Sequence, residues 1–183
     1  MEIIIALAVV GLLVLFFIAQ YNRLIRLNIG VDESFAQIEV QLKRRSDLIP
    51  NLVETVKGYA KHEQGTFDAV VTARAKATTA STVADVAAAD GMLTQALRGL
   101  LAVAEAYPDL KASSNFLSLQ EELSTTENKV AFSRQFYNDN VRLLNTAVKT
   151  IPTNFFAGFA KVSEREFYEV DEATNRNAPN VSF

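Results

Sequence analysis

His62 is the only histidine in the chain, so any histidine-based catalysis or metal binding would have to be built around it. A zinc-binding HExxH helix carries a second histidine four residues later, and none follows His62-Glu63. Serine hydrolases of the α/β type place their nucleophile in a G-x-S-x-G turn, which the sequence also lacks. We therefore interpret His62 as a surface-turn histidine without a catalytic or metal-binding role.

The glutamates are the other residues that could carry acid–base or metal chemistry, and those considered are Glu105, Glu121, Glu122 and Glu127. Carboxylate metal sites in helical bundles use Glu-x-x-His pairs from two helices, and no such pair occurs. At helix-surface spacing these side chains are more typical of solvated ion pairs. The sequence also has neither GxGxxG nor a Walker motif. It therefore predicts a protein that is not an enzyme and has no cofactor and no metal site.

Composition excludes several further classes of function and fold. The net charge is −3 and no region is basic enough to suggest binding to nucleic acid. The absence of cysteine excludes disulfides and thiolate metal sites and fits a reducing compartment. With only 7 glycines and 4 prolines, the chain favours long helices over a turn-rich β fold.

The residues from Ile3 to Ala19 carry no charge and are almost all large and apolar. A helix over this run would be about 25 Å long, close to the hydrocarbon thickness of a bilayer. We predict an uncleaved transmembrane helix over residues 1–20, with the anchor residues Ile3, Leu7, Val10, Leu13 and Phe17. A cleaved signal peptide fits less well, because a basic start and a small-residue cleavage site are missing. A buried core helix is the third alternative, although this run is apolar on all faces.

The flanks of this helix predict its orientation. Arg23 and Arg26 follow it, whereas no Lys or Arg precedes it. The positive-inside rule then places the carboxy-terminal domain in the cytoplasm, with the amino terminus outside. We expect a single-pass protein of the inner (cytoplasmic) membrane, with the lipid bilayer as a partner.

A helical stripe continues directly beyond the predicted span, through Leu24, Leu27, Val31, Phe35, Ile38 and Leu42. One alternative is an unbroken helix that couples the membrane to the domain, and the other is a linker near Gly30 followed by a separate helix. Pro50 lacks a backbone donor, so we expect a kink or break there and treat it as a candidate hinge. We interpret the basic triplet at residues 43–45 as a solvated helix face, with binding of anionic lipid or an acidic partner as the alternative.

Further periodic stretches predict the rest of a cytoplasmic bundle over residues 21–151, with helices at about 24–60, 64–78, 84–107 and 114–150. The longest stripe is Leu119, Leu123, Thr126, Val130, Ser133, Tyr137, Val141, Leu144 and Val148. Its mean spacing is that of a straight helix. A helix of this length has to pack along the first one. We therefore predict an all-α protein in which one amino-terminal transmembrane helix is followed by an elongated antiparallel helical bundle.

An aromatic-rich tail, residues 152–183, follows Pro152. The candidate interface residues there are Phe155, Phe156, Phe159, Phe167 and Tyr168. One interpretation is a segment that docks on the membrane surface or on another subunit, because aromatic side chains dominate interface energetics. The other is a tail that folds back to close one end of the bundle. Both could hold together.

Several long motifs occur in the order found in one known family. They are QLKRRSDLIPNLVETVKGYAKHE at residues 41–63, EAYPDLK at 105–111, FLSLQE at 116–121, ENK at 127–129 and YND at 137–139. With Tyr21-Asn22, they resemble the LemA family of bacterial membrane proteins. The resemblance implies one amino-terminal membrane helix and a helical-bundle soluble domain. It implies no reaction and no catalytic residues.

Two classes of function follow. The leading hypothesis is a non-enzymatic, membrane-anchored scaffold that self-assembles into a homo-oligomer, with Asn138, Asn140 and Asn145 near the apolar stripe packing within or between subunits. The alternative is a membrane-anchored sensor or binding module that holds a small molecule or peptide between its helices. The sequence identifies no protein partner.

Overall fold

The computed structural model describes residues 1–169, and within that part the chain forms six α-helices and no β-strand. The helices are α1 (Glu2–Lys57), α2 (Gln64–Thr79), α3 (Val83–Glu105), α4 (Pro108–Lys111), α5 (Ser114–Lys149) and α6 (Asn154–Ala160). The all-α class is therefore confirmed. Residues 170–183 of the predicted tail lie outside the described residues.

Helix α1 begins in the apolar run and continues without interruption to Lys57. The helix predicted to start near residue 24 is therefore the later part of α1, and no linker forms near Gly30. A single glycine costs only about 1 kcal/mol in a helix, which many flanking helix-forming residues offset. Of the two alternatives left open by the sequence, the unbroken helix is the one the structure contains.

Pro50 lies inside α1, so the helix does not break at this residue. The alternative expectation, a kink, stays a prediction. Proline lacks the N–H that would bond to the carbonyl four residues earlier, which here is the carbonyl of Ser46. A side chain from α2 supplies the missing donor: Nε of Arg74 lies 3.0 Å from the Ser46 carbonyl oxygen. The helix therefore passes through Pro50 with its orphaned carbonyl hydrogen-bonded.

The chain divides into two compact units, and the first contains Met1–Ile38 and Phe132–Phe167. Within it, the early part of α1 and the late part of α5 run antiparallel. The Phe35 ring lies against the Tyr137 ring at 5.7 Å, and Nδ2 of Asn140 donates to the Gly30 carbonyl at 3.4 Å. The buried apolar residues of this pair are Leu24, Val31, Ile38, Tyr137, Val141, Leu144 and Ala147.

The second unit contains Glu39–Ala131 and, in the carboxy-terminal segment, Tyr168. Its core draws on α1, α2, α3, α4 and α5, and its buried apolar residues include Ile49, Leu52, Phe67, Leu93, Leu100, Leu110 and Phe116. Nδ2 of Asn115 donates to Oγ1 of Thr55 at 3.2 Å, which joins the start of α5 to the end of α1. Here too these two helices run antiparallel.

The stripe predicted along α5 is the buried face of that helix. Every one of its residues from Leu119 to Leu144 is buried, and Val148 is half-buried. The polar members are accommodated locally: Thr126, for example, donates from Oγ1 to the Leu123 carbonyl at 2.8 Å. A period near 3.6 keeps these residues on one side over the full length of the helix.

Helix ends follow local signals. Oγ1 of Thr82 accepts a hydrogen bond from the Asp85 backbone N–H at 3.1 Å, so Thr82 caps α3. At its other end α3 stops at Glu105, and Pro108 opens the short α4. The sequence did not predict α6, which occupies the start of the aromatic tail.

Candidate functional site

Arg45 and Asp90 form a buried ion pair in the second unit. Nη1 of Arg45 lies 3.0 Å from Oδ1 of Asp90, and each side chain is only 2% exposed. The same Nη1 also lies 3.0 Å from Oγ1 of Thr94. The phenol of Tyr168 donates to the other oxygen of Asp90 at 3.0 Å. These four residues, from α1, α3 and the carboxy-terminal segment, are called the Arg45 cluster below.

This arrangement corrects the interpretation of the basic triplet. Lys43 and Arg44 are exposed as expected, but Arg45 is buried. Arg45 follows Ile38 by seven residues and precedes Ile49 by four, so it lies on the buried stripe of α1. Its position in the helical period, rather than its charge, was the signal that could have identified it.

The Arg45 cluster also corrects the assignment of Tyr168 as an interface residue. The Tyr168 side chain is 3% exposed and its hydroxyl is bonded to Asp90. A buried tyrosine usually finds a polar partner for its hydroxyl, and here the buried carboxylate provides one. The aromatic ring is therefore part of the core of the second unit.

The energetics of this cluster favour an architectural role. Bringing two charges out of water costs about as much as their attraction returns, so a buried pair adds little net stability. Removing one partner is much more costly, because the other charge stays buried. We therefore interpret the pair as favouring the native packing of α1 against α3 over shifted alternatives.

A cavity of about 260 Å³ lies beside the Arg45 cluster. Its lining combines apolar side chains with charged ones, namely Glu39, Leu42, Lys43, Asp47, Arg74, Val86, Asp90 and Leu93. Arg74 is held in place by its bond to the Ser46 carbonyl. A cavity lined by charges of both signs together with apolar side chains would suit a small zwitterionic or polar molecule.

In the first unit, α6 packs against the apolar start of α1 through aromatic rings. The Phe156 ring lies 5.1 Å from the Phe17 ring and 6.1 Å from the Phe16 ring, both edge-to-face. The Phe159 ring lies 5.9 Å from Phe17 in the same geometry. These are the distances and angles that aromatic pairs prefer. The start of the tail therefore packs back onto the apolar start of α1.

The candidate interface residues are thus distributed in three ways. Phe155, Phe159 and Phe167 remain exposed, Phe156 is half-buried against α1, and Tyr168 is buried. The anchor residues Ile3, Leu7, Val10, Leu13 and Phe17 are all exposed. Within the described residues α1 alone has the length and composition to cross a membrane, and its most apolar eighteen-residue window has no buried residue.

The segment after α6 is fastened to both long helices by Arg165 and Asn145. The amide side chain of Asn145 accepts from the Arg165 backbone N–H and donates to the Arg165 carbonyl, both at 2.9 Å. The Arg165 guanidinium donates to Asp32 at 2.6 Å and to Asn28 at 3.3 Å. Asn140 and Asn145, left open as intra- or intersubunit contacts, thus make bonds within the chain.

Tyr137 lies beneath this segment and donates from its hydroxyl to the Glu166 carbonyl at 2.9 Å. Burial raises the pKa of the phenol above its ordinary value of 10.0. The nearby Arg165 guanidinium acts in the opposite direction on that pKa, and the carboxylates of Glu166 and Asp32 raise it further. Tyr137 is therefore held as a neutral hydrogen-bond donor.

The residues considered for catalysis lie apart from these features. His62, Glu105, Glu121, Glu122 and Glu127 are all exposed. Glu121 and Glu122 line an open surface groove with Arg44 and Lys129. Over residues 1–169, no group of three or more histidine, aspartate or glutamate side chains is arranged to hold a metal ion.

A family model for the LemA family matches residues 34–183, which is most of the chain. The chain belongs to the LemA family. The matched range covers the Arg45 cluster, α6 and Arg165, whereas the apolar run lies ahead of it.

The LemA chain is similar to several curated proteins. Protein LemA of Metamycoplasma hominis is 24% identical over 177 residues, which cover 92% of this chain and 81% of that protein. Magnetosome protein MamQ 2 of Paramagnetospirillum magneticum is 23% identical over 176 residues, covering 82% of this chain. Magnetosome protein MamQ of Magnetospirillum gryphiswaldense is 22% identical over 172 residues, covering 78%. The aligned region spans 65% and 63% of these two MamQ proteins.

Proposed function

We propose that this LemA protein is a non-enzymatic, membrane-anchored scaffold that self-assembles. The observation that carries the proposal is the continuity of α1, whose exposed apolar start and buried later part belong to one helix. Exposed apolar surface on this scale is costly in water and favourable in a bilayer. With the apolar run in lipid, α1 tethers the bundle to the membrane.

The proposed orientation places the bundle in the cytoplasm. Arg23 and Arg26 are both exposed on α1, within two turns of the end of the apolar run. Basic residues beside a span are retained on the cytoplasmic side. Protease added outside sealed inner-membrane vesicles with their cytoplasmic face inward should leave the bundle intact. Digestion of the bundle in such vesicles would contradict this orientation.

Self-assembly is supported by an unpaired apolar stripe on α5. Phe132, Phe136 and Leu143 are 72%, 44% and 51% exposed and follow one another at i, i+4 and i+11. That spacing places them on one face of the helix, away from its buried stripe. We propose that this face packs against a second copy of the chain. Anchoring aligns all copies in one plane and raises their effective concentration.

Two of the similar proteins are named as magnetosome proteins, and association with a cellular structure is part of our proposal for this chain. Scaffolding requires specific association and no chemistry of its own. The exposed candidate catalytic residues are consistent with such a role.

The test is the mass of the full chain in mild detergent. The wild type should form a defined oligomer at micromolar concentration, and combined Phe132→Ser, Phe136→Ser and Leu143→Ser should dissociate it. Leu117→Ser is the matched control, since Leu117 is a similarly exposed residue on α5 outside the stripe. A monomeric wild type would overturn the self-assembly proposal.

A second candidate function is a binding module, which the cavity beside the Arg45 cluster favours. A ligand there would contact α1, α2 and α3 and could alter how they pack. A small-molecule screen by thermal unfolding tests this function, because a ligand that binds the folded state raises the midpoint. A stabilising hit should lose its effect in Lys43→Gln, where an exposed cavity-lining charge is removed. A screen without any stabilising compound would count against it.

A further inference from the structure

Helix α6 carries an exposed apolar face in a stretch without charge. From Thr150 to Ala160 the sequence has no ionisable side chain. Phe155 and Phe159, one turn apart on α6, are 65% and 72% exposed, and Ile151 just before the helix is 75% exposed. The Phe159 ring touches Phe17 of α1 at 5.9 Å and still has most of its surface exposed.

The position of α6 along α1 determines the environment of this exposed face. Its rings contact Phe16 and Phe17, and the uncharged run ends at Ala19. The helix from Glu2 to Ala19 is about 27 Å long at 1.5 Å per residue. Spanning about 30 Å of hydrocarbon therefore requires the whole run. Phe17 must then lie at the edge of the hydrocarbon, and the α6 rings in contact with it lie at the same depth.

We propose that α6 is a second membrane contact, an aromatic wedge that lies in the lipid interface beside the span. The proposal rests on the proposed function in one respect, namely that α1 crosses the bilayer. The occupant of the exposed face is the boundary between acyl chains and headgroups, where aromatic side chains are favoured.

The charges around α6 fit this depth. Lys161 follows the helix directly, is exposed, and has a left-handed backbone with φ 51° that turns the chain at this point. Arg23 and Arg26 are exposed one to two turns beyond the apolar run of α1. These cations would lie on the headgroup side of the aromatic rings, where anionic lipids attract them. An uncharged aromatic face bordered by basic residues is the pattern of an interfacial segment.

The wedge would fix the rotation and tilt of α1. A lone helix can rotate about its axis in a bilayer, whereas interfacial aromatic anchors define its orientation. Because Phe156 and Phe159 pack on one side of Phe17, α6 would bind lipid on that side only. Every copy would then present the same face to its neighbours in the membrane plane.

Tryptophan fluorescence tests the wedge directly, because the chain has no tryptophan of its own. The full chain is reconstituted in vesicles with brominated lipids, whose bromine quenches nearby indoles. Phe159→Trp should show blue-shifted emission and a large loss of intensity, greater with bromine near the headgroup than deep in the chain. Val40→Trp is the matched control, because Val40 is 58% exposed, lies on α1 well beyond the apolar run and is outside the proposed self-assembly stripe. It should keep red-shifted, unquenched emission.

A third variant separates the two proposals. Val10→Trp reports on the middle of the apolar run and should be quenched most by deep bromine. If Val10→Trp is quenched and Phe159→Trp is not, the wedge is wrong and the anchor stands. If neither is quenched, the anchor itself fails. A blue-shifted but unquenched Phe159→Trp would mean that protein, such as a second copy, covers α6, which also overturns the wedge.

Discussion

Arg74 donates a hydrogen bond from its Nε to the backbone carbonyl of Ser46 at 3.0 Å. That carbonyl would be the acceptor for residue 50 in a regular helix, and Pro50 has no N–H to give. The bond therefore satisfies the carbonyl that Pro50 leaves without a helical donor, and it joins α1 to α2.

We predict that Arg74→Met destabilises the fold by about 1.5–3 kcal/mol, the usual value for a hydrogen bond with a charged donor. The loss should shrink in a Pro50→Ala background, because an alanine at this position supplies the backbone donor for Ser46. Chemical unfolding of the full chain in detergent, followed by circular dichroism, measures the four variants of this cycle. Equal losses in both backgrounds would mean that Arg74 acts independently of Pro50.

The same relationship bears on Pro50 as a candidate hinge, which stays a prediction. A hinge residue has to absorb backbone rotation, whereas the carbonyl freed by Pro50 is bound to another helix. We expect bending at this position only after the Arg74 bond is broken. Two spin labels on exposed sites of α1, one on each side of Pro50, should give one narrow distance distribution that broadens in Arg74→Met.

A substitution in the Arg45 cluster is expected to cost more folding stability than Arg74→Met. Arg45→Met removes the guanidinium that pairs with the buried Asp90 carboxylate and should cost about 3–5 kcal/mol. Arg44→Met is the matched control, because Arg44 is exposed and adjacent, and it should change stability by less than about 0.5 kcal/mol. Unfolding midpoints in urea give both values. Similar small losses for the two variants would contradict the buried pair.

Tyr168→Phe probes the same cluster from the carboxy-terminal segment. It removes the hydroxyl that donates to Asp90 and keeps the buried ring. We expect a loss of about 1.5–3 kcal/mol, since the acceptor is charged. Tyr59→Phe, on an exposed tyrosine, provides the comparison and should be nearly neutral. If Tyr168→Phe is equally neutral, the tyrosine contributes only its ring.

Tyr137 makes the folding stability fall as the pH becomes alkaline. Its pKa is raised in the folded state, so the fold favours the neutral phenol. The stabilisation is fully present below the unfolded pKa of 10.0 and is lost as pH rises through the higher folded value. Unfolding midpoints measured from about pH 8 to about pH 11 should fall less steeply at the alkaline end in Tyr137→Phe than in the wild type. Parallel curves would show that the phenol does not control this loss.

The sequence predicted the helices where one period governs many residues. The α5 stripe from Leu119 to Leu144 is buried as expected, because every member satisfies the same spacing. Arg45 was misassigned because its charge was given more weight than its place between Ile38 and Ile49. Asp90 lies between Val86 and Leu93 on the buried face of α3, so its place in the helical period was the corresponding signal.

Other features depended on distant partners and could not be derived locally. Nothing near Pro50 identifies Arg74 as the donor to Ser46, since the two residues lie 28 positions apart. The five aromatics of the tail looked equivalent in sequence, yet Phe156 faces Phe17, Phe159 remains exposed and Tyr168 contacts Asp90. The environment of each ring depends on the helix against which that part of the tail packs.

The central claim is that the apolar start of α1 is embedded in a bilayer, and an alkaline carbonate wash of membranes tests it most directly. The full chain should remain in the membrane pellet. The triple variant Leu7→Lys, Val10→Lys, Leu13→Lys should move to the supernatant, because each lysine near the centre of a span costs about 2.5–3.5 kcal/mol. Recovery of the wild-type chain in the soluble fraction of a detergent-free lysate would contradict the account.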